Sequence, residues 1–350
     1  MRPASSGINS ASHRRNRTFP HLLSSQLATN SYLCIMNSRG LILFLDTTHP
    51  LLPQKLEDAG FEVKLFSGTL DDLKAMLPDV TGLVVRSKFT LTRDVLECAS
   101  NLRFIARAGA GMENIDVAFA ESKGIACLSS PEGNRDAVGE QALGMLLMLM
   151  NNLRRADNEV RKSIWKREAN RGFELTGKTV GIIGYGNMGS AFAQKISGFG
   201  CRVIAYDKYK TGYGSAIVEE QPMQTLFEEC DVVSLHVPLT EETTYLANEN
   251  FFDSFRKPIW FINTSRGMVC KTSALITALE AGLVLGVALD VLEWEDFSFE
   301  NFFKQELPPE FTWLTQSDKV VLSPHIAGWT HESNVKHAEV LLAKIVALSW

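Results

Sequence analysis

The chain is poor in the features that staple a protein or carry it through a membrane. Its six cysteines, at 34, 98, 127, 201, 230 and 270, form no C-x-x-C pair. Neither a zinc site nor a disulfide framework is therefore encoded, no metal is expected, and the thiols suit a reducing, cytoplasmic setting. Long apolar runs are missing too. The longest, Ala142 to Met150, is far too short to cross a bilayer, so no membrane partner is expected. Acids are absent from residues 1–41, which hold Arg2, Arg14, Arg15, Arg17 and Arg39. Because the whole chain carries −5, the remainder carries −10. An acidic body argues against a nucleic-acid partner. Residues 1–36 also lack apolar periodicity and read as a disordered tail. Their Arg- and Ser-rich composition fits an organellar transit peptide; alternatively Met36 is the true start. The abrupt onset of pattern at Leu41 favours the second, and the tail should be dispensable. No internal repeat is present.

What the chain has is length, 350 residues with 45% hydrophobic content, enough for two α/β domains. It is organised around Val180-Gly181-Ile182-Ile183-Gly184-Tyr185-Gly186-Asn187-Met188-Gly189. An apolar run ends on Gly184, an amphipathic stretch from Ala191 to about Phe199 follows, and a second apolar run, Cys201 to Tyr206, ends on Asp207. This is strand, tight turn, helix, strand, acid. In such a unit the first glycine makes the turn, the second lets backbone approach a pyrophosphate, and the third lets helix and strand pack closely. The helix N-terminus favours phosphate, and the acid suits ribose hydroxyls. Dinucleotide binding is the expectation.

Before this unit, short apolar runs at Leu41–Leu45, Phe61–Phe66, Gly82–Arg86, Arg103–Ala106 and Ile125–Leu128 read as strands. Helices are expected at Leu51–Ala59, Leu70–Met76, Thr92–Ala99 with Thr92 as cap, and after Asn114. This is a first α/β unit with a parallel sheet. A long helix is expected from Asp136 or Ala137 to about Arg154, with Met145 and Met148 on a core or subunit-contact face. A second helical stretch should hold Val160, Ile164 and Trp165. The second domain begins at Lys178, with later strands at Asp231–Val237, Pro258–Asn263, Leu283–Leu289 and Lys319–Leu322. The segment from Asp296 to Lys319, rich in phenylalanine and with Pro308 and Pro309, reads as a long functional or interface loop. A final helix spans about Thr330 to Leu348.

Three ionisable residues stand near second-domain strand ends, where open α/β sheets place ligands: Arg266 in Asn263-Thr264-Ser265-Arg266-Gly267, Glu295 five residues after Asp290, and His325 in Ser323-Pro324-His325-Ile326-Ala327-Gly328. Hydride transfer from a 2-hydroxy acid needs a cation for the carboxylate, a base for the hydroxyl proton and a carboxylate to orient that base. Arg, His and Glu fit these roles. Taken singly, each also has an ordinary reading: a surface ion pair, a solvated loop acid, a capping histidine.

From about Leu41 onward the sequence resembles the D-isomer-specific 2-hydroxyacid dehydrogenase family. The likeness is carried in order by Val85-Arg86-Ser87, the run Arg107-Ala108-Gly109-Ala110-Gly111-Met112-Glu113-Asn114-Ile115-Asp116, the glycine fingerprint, His236-Val237-Pro238-Leu239-Thr240, Asn263 to Gly267, Asp290 to Glu295, and Ser323 to Gly328. The resemblance implies two doubly wound parallel-sheet domains with the active-site cleft between them. A flavodoxin-like substrate domain would take residues 37–140 plus 323–350, and a Rossmann NAD-binding domain residues 141–322. It implies Arg266 as carboxylate ligand, His325 as general acid/base and Glu295 as its partner. Nicotinamide contacts are implied for Ser265, Asp290 and Gly328, and other NAD contacts for Asn187, Met188, Asp207, His236, Val237 and Pro238. Gly109 and Ala110 would offer backbone to the substrate. A homodimer through the NAD-binding domain is implied as well.

The phosphoglycerate dehydrogenase branch is the nearest likeness, which makes oxidation of 3-phosphoglycerate to 3-phosphohydroxypyruvate, the first step of serine biosynthesis, the expected reaction. Glyoxylate or hydroxypyruvate reduction is the runner-up, and an NAD-sensing corepressor-like binding protein is the non-enzymatic alternative. Phosphate would need a second cationic cluster. Arg86 with Ser87, and Arg107, are the candidates, with Lys88 and Arg135 nearby; the alternative is that Arg86 and Arg107 only pair with acids across the cleft. Two departures from the branch stand out: the longer Phe-rich segment, and Trp329 where a smaller residue is usual. No C-terminal regulatory domain follows, so serine feedback through one is not expected.

Overall fold

Runs of β-branched and aliphatic residues bounded by glycine, proline and acids build the central strands, buried on both faces as parallel sheets require, while edge strands such as Glu62–Leu65 and Glu219–Glu220 are largely exposed. The computed structural model describes residues 39–295 and 307–348. The arginine-rich tail lies outside the described residues, as do Phe297, Phe299, Phe302 and Phe303. The first sheet holds β1 (Leu41–Phe44), β2 (Glu62–Leu65), β3 (Val80–Val85), β4 (Phe104–Arg107) and β5 (Ala126–Ser129). All are parallel, in the order β2-β1-β3-β4-β5, the flavodoxin-like arrangement. Between them run α1 (Leu51–Asp58), α2 (Leu70–Met76), α3 (Arg93–Leu96) and α4 (Val117–Ser122). One expected helix is shorter than its pattern. It stops at Leu96 rather than Ala99, and the Thr92 hydroxyl bonds the Asp94 carboxylate instead of capping an amide.

The two expected helical stretches follow, but they divide at Asn151 and Asn152 rather than near Arg154. The first, α5 (Pro131–Met150), starts several residues earlier than expected because Pro131 occupies its first turn, where a missing N–H costs nothing. Asn152 then adopts a left-handed conformation (φ 53°) and breaks the chain before α6 (Leu153–Arg161). Ile164 and Trp165 fall beyond that helix. Glycines let α5 pack closely on both sides. A Cβ on Gly133 would lie 2.8 Å from the His337 backbone nitrogen, and one on Gly139 would lie 3.1 Å from the Ala191 carbonyl.

The second sheet holds β6 (Thr179–Ile183), β7 (Arg202–Tyr206), β8 (Glu219–Glu220), β9 (Val232–Leu235), β10 (Ile259–Asn263), β11 (Val284–Leu289) and β12 (Val320–Leu322). Its order is β12-β11-β10-β9-β6-β7-β8, all parallel. Counted from β6 this is the doubly wound dinucleotide-binding order with one added strand, and it reverses direction between β6 and β9. The connecting helices are α7 (Asn187–Ile196), α8 (Met223–Glu229), α9 (Glu249–Asp253), α10 (Thr272–Glu280) and α11 (Pro309–Gln316). Part of the supposed Phe-rich loop is thus helical: Leu314 of α11 is buried in the core, and the Trp313 indole donates to Glu280. The last helix, α12 (His331–Val346), returns to the first sheet, where Leu341 and Ile345 pack with Ile42, Phe44 and Val84. Among the described residues no helix is long and apolar enough to cross a membrane, and no cluster of side chains could hold a metal ion.

Candidate active site

The glycine fingerprint forms a cradle at the switch point. Gly184 has φ +91°, and a Cβ there would lie 2.5 Å from the His236 carbonyl oxygen. A Cβ on Gly189 would lie 2.1 Å from the Gly184 oxygen, so the third glycine brings α7 against its strand. A Cβ on Gly186 would meet nothing within 4 Å. That open space sits where α7 begins, with Asn187 and Met188 in its first turn and their amides available to an anion.

Asp207 ends β7. Its Oδ2 accepts from Tyr185 N (2.8 Å), and its Oδ1 from Tyr209 N and Lys210 N (2.9 and 3.0 Å). Burial raises its carboxyl pKa, but the three amides outweigh burial and the net shift is downward. The group is a fixed anion. Lys208, the cation beside it in sequence, is neutralised by Glu242. His236 is buried, its Nε2 bonded to Ser234 Oγ at 2.8 Å, and desolvation pushes it down to about 3. Its Nδ1 is buried without a partner. Val237 packs against the Gly184 turn, and the Pro238 carbonyl accepts from Thr243. A phosphate-ready helix end, a fixed anion at ribose distance in sequence and an orphaned buried nitrogen fit an adenine dinucleotide.

The expected acid–base pair, His325 and Glu295, lies near the ends of β11 and β12. His325 Nδ1 donates to Glu295 Oε2 at 2.6 Å. Glu295 Oε1 accepts from Leu292 N, which fixes the carboxylate. This tautomer turns Nε2 away from Glu295. His325 has φ +51°, an uncommon conformation for a non-glycine residue. The turn that imposes it is held by Asp290, 1% exposed. The Asp290 carboxylate accepts from Ser323 Oγ (2.6 Å), Ile326 N (2.9 Å), Ala327 N (2.8 Å) and Gln141 Nε2 (3.2 Å). Its carbonyl accepts from His325 N at 2.7 Å. Burial raises the Asp290 carboxyl pKa against these donors. Asp290, expected at the nicotinamide, anchors the His325 turn, a task the sequence did not suggest. Gly328 closes the turn at φ +92°, where a Cβ would strike Asn134.

Arg266 follows β10. Asn263 organises its turn, accepting from Ser265 N and Oγ and donating to the Arg266 carbonyl. The guanidinium donates from Nε to Glu113 Oε1 (2.7 Å) and from Nη1 to the Ser265 carbonyl (2.7 Å). Burial raises the Glu113 carboxyl pKa, and Arg266 more than reverses that. Gly267 is required because a Cβ would lie 1.8 Å from the Leu292 oxygen. Its turn therefore packs directly on the loop that carries Glu295.

A cleft of about 400 Å³ joins these groups, lined by Arg86, Ser87, Arg107, Arg266, His325 and Trp329, with the Gly109 and Ala110 backbone on one wall. Lys88 and Arg135 do not line it. Arg107 ends β4 with its Nε buried and without a partner, and burial pushes its guanidinium down to about 10. His337 of α12, bonded to Ser130 Oγ at 2.7 Å, lies beside it. Desolvation, reinforced by the Arg107 and Arg86 charges, pushes His337 down to about 4. Glu113, whose charge also acts on Arg107, makes its hydrogen bond to Arg266. Sequence reasoning gave Glu113, Gln141, Asn134 and His337 no role; of these only Glu113, a lone acid in a glycine-rich stretch, carried any signal.

The sequence matches the model of the D-isomer specific 2-hydroxyacid dehydrogenase NAD binding domain over residues 143–327. It is 38% identical to a hydroxypyruvate reductase of Thermotoga maritima over 79% of this chain and 87% of the relative. It is 32% identical to the D-3-phosphoglycerate dehydrogenase of Homo sapiens over 87% of this chain, but spans only 56% of that longer protein. A crystal structure of D-lactate dehydrogenase from Aquifex aeolicus, complexed with NAD and lactic acid, superimposes with a TM-score of 0.75 at 28% identity, over 87% of this chain and 94% of the other. The chain belongs to the D-isomer specific 2-hydroxyacid dehydrogenase family and is an NAD-dependent oxidoreductase.

Proposed function

We propose that the enzyme interconverts 3-phosphoglycerate and 3-phosphohydroxypyruvate. The observation that carries this reading is Arg107. A guanidinium with a buried, unpartnered nitrogen is costly unless an anion arrives to pair it, and Arg86 shares its cleft. Arg266 serves the carboxylate, so Arg86 and Arg107 supply a second anion site, and a planar fork suits phosphate. In oxidation His325 Nε2 takes the hydroxyl proton, Glu295 stabilises the resulting imidazolium, and Arg266 holds the carboxylate and polarises the developing carbonyl. Asn187 and Met188 would hold the NAD pyrophosphate, Asp207 its ribose hydroxyls, and Ser265, Asp290 and Gly328 its nicotinamide end; bound NAD would supply the acceptor for the hydride lost from C2. Reduction of unphosphorylated hydroxypyruvate is the competing reading, favoured by the Thermotoga relative. Initial rates decide between them. Catalytic efficiency with phosphohydroxypyruvate should exceed that with hydroxypyruvate or glyoxylate by at least tenfold, and the reverse order rejects the proposal.

We infer in addition that the enzyme is a homodimer built through the region around α6. That helix buries none of its residues. Leu153 and Val160 share one of its faces at 52% and 53% exposure, and Trp165, just beyond, is 78% exposed. Apolar surface of this kind marks an interface. Light scattering should report twice the 38.8 kDa chain mass; a monomer at micromolar concentration refutes the inference.

A further inference from the structure

Arg86 is the first residue beyond β3, and its main chain is fixed. Its N–H donates to Asp46 Oδ2 at 2.6 Å, and its carbonyl accepts from Asn114 Nδ2 at 3.2 Å. Its guanidinium has no hydrogen bond or ion pair among the described residues. Its one partner is the Trp329 ring, with Cζ 4.4 Å from the ring centroid. Trp329 is 67% exposed, so burial does not account for its position. Its backbone N–H donates to the Ile326 carbonyl at 2.8 Å, and the preceding Gly328 carbonyl accepts from Ser333 Oγ at 2.6 Å. The indole therefore rides on the same fixed turn as His325.

An arginine stacked on an aromatic face keeps its five N–H donors in the guanidinium plane, free at the edges. We propose that Trp329 is a positioning residue that determines specificity: its indole holds the Arg86 fork edge-on to the cleft, where it receives a phosphoryl group carried on the substrate carbon beyond the reacting centre. This rests on the reading of a substrate with a second anion, and it names the residue that makes Arg86 able to select one. Without the stack, Arg86 spends its time among solvent-facing rotamers. Because the stack spans the cleft from the β3 end to the His325 turn, anion recognition and the acid–base group share one registration.

The test uses three Trp329 variants, an Arg86→Ala background, two oxo acids and inorganic phosphate. Trp329→Ala should raise KM for phosphohydroxypyruvate about tenfold, the scale of a partly desolvated cation–π contact. KM for hydroxypyruvate, which offers Arg86 nothing, should rise far less, and kcat should fall less than KM rises. Trp329→Phe should restore most of the loss, since it keeps a π face; Trp329→Leu should not. Inorganic phosphate as a competitive inhibitor reads the same subsite whichever oxo acid is the true substrate. Its inhibition constant should weaken in Trp329→Ala, and that substitution should add nothing in an Arg86→Ala background. Equal losses for both oxo acids, full activity in Trp329→Leu, additive effects on phosphate inhibition, or no phosphate inhibition of the wild type each overturn the proposal. A wild-type preference for hydroxypyruvate with the phosphate coupling intact would reject the substrate reading and leave the role of Trp329 standing.

Discussion

His325→Asn lowers turnover by about 10²–10⁴-fold, the value of a positioned general acid/base. Asparagine is the informative replacement because residue 325 sits at φ +51°, a conformation that asparagine tolerates better than alanine. The Asp290 clamp acts through backbone amides at 325–327 and the Ser323 hydroxyl, so it survives the exchange. The melting temperature should change little, and a loss of activity then reports chemistry rather than folding. The NAD dissociation constant should also hold, because the glycine cradle lies at the ends of β6 and β7, away from the imidazole. Turnover within threefold of wild type would show that another group moves the proton.

Arg266→Ala lowers kcat/KM by roughly 10²–10⁴-fold for every 2-oxo acid, phosphorylated or not. A bidentate pair with a carboxylate is worth two charge-assisted hydrogen bonds of about 1.5–3 kcal/mol each. A second effect follows from Glu113. Its carboxylate loses the 2.7 Å bond from Arg266 and remains in the cleft as an unpaired charge that repels the substrate. Adding Glu113→Gln should therefore recover part of the loss, a non-additivity expected of groups in contact. If Arg266→Ala discriminates between phosphorylated and unphosphorylated substrates, its guanidinium serves the distal group and the two anion sites have been assigned the wrong way round.

These residues were legible to different degrees, for physical reasons. The cradle is local: Gly184, Gly186 and Gly189 act within one turn, and their spacing states their work. His325 and Glu295 were legible through motif order, although their bond joins residues thirty positions apart. Glu113 pairs with a residue 153 positions away, and no periodicity reports such a partner. Asp290 shows the same limit, since its link to Gln141 crosses from β11 to α5. The early start of α5 was missed because proline reads as a stop unless its place in the first turn is known. Thr92 failed as a cap because Asp94, two residues on, captured its hydroxyl. Lys88 and Arg135 were grouped with the cleft arginines by nearness in sequence, yet the Lys88 ammonium lies over the Phe89 ring instead.

The Asp290 clamp has a consequence for how the gene can change. The turn bearing His325 takes its bearings from a carboxylate at the end of β11 and an amide on α5, both laid down before the chain reaches Asp296. A codon change at either position therefore reaches the imidazole from a distance: Asp290 grips the backbone amides at 325–327 and Gln141 steadies Asp290, so an exchange at Asp290 or Gln141 should shift the pH dependence of turnover while His325 itself is unaltered.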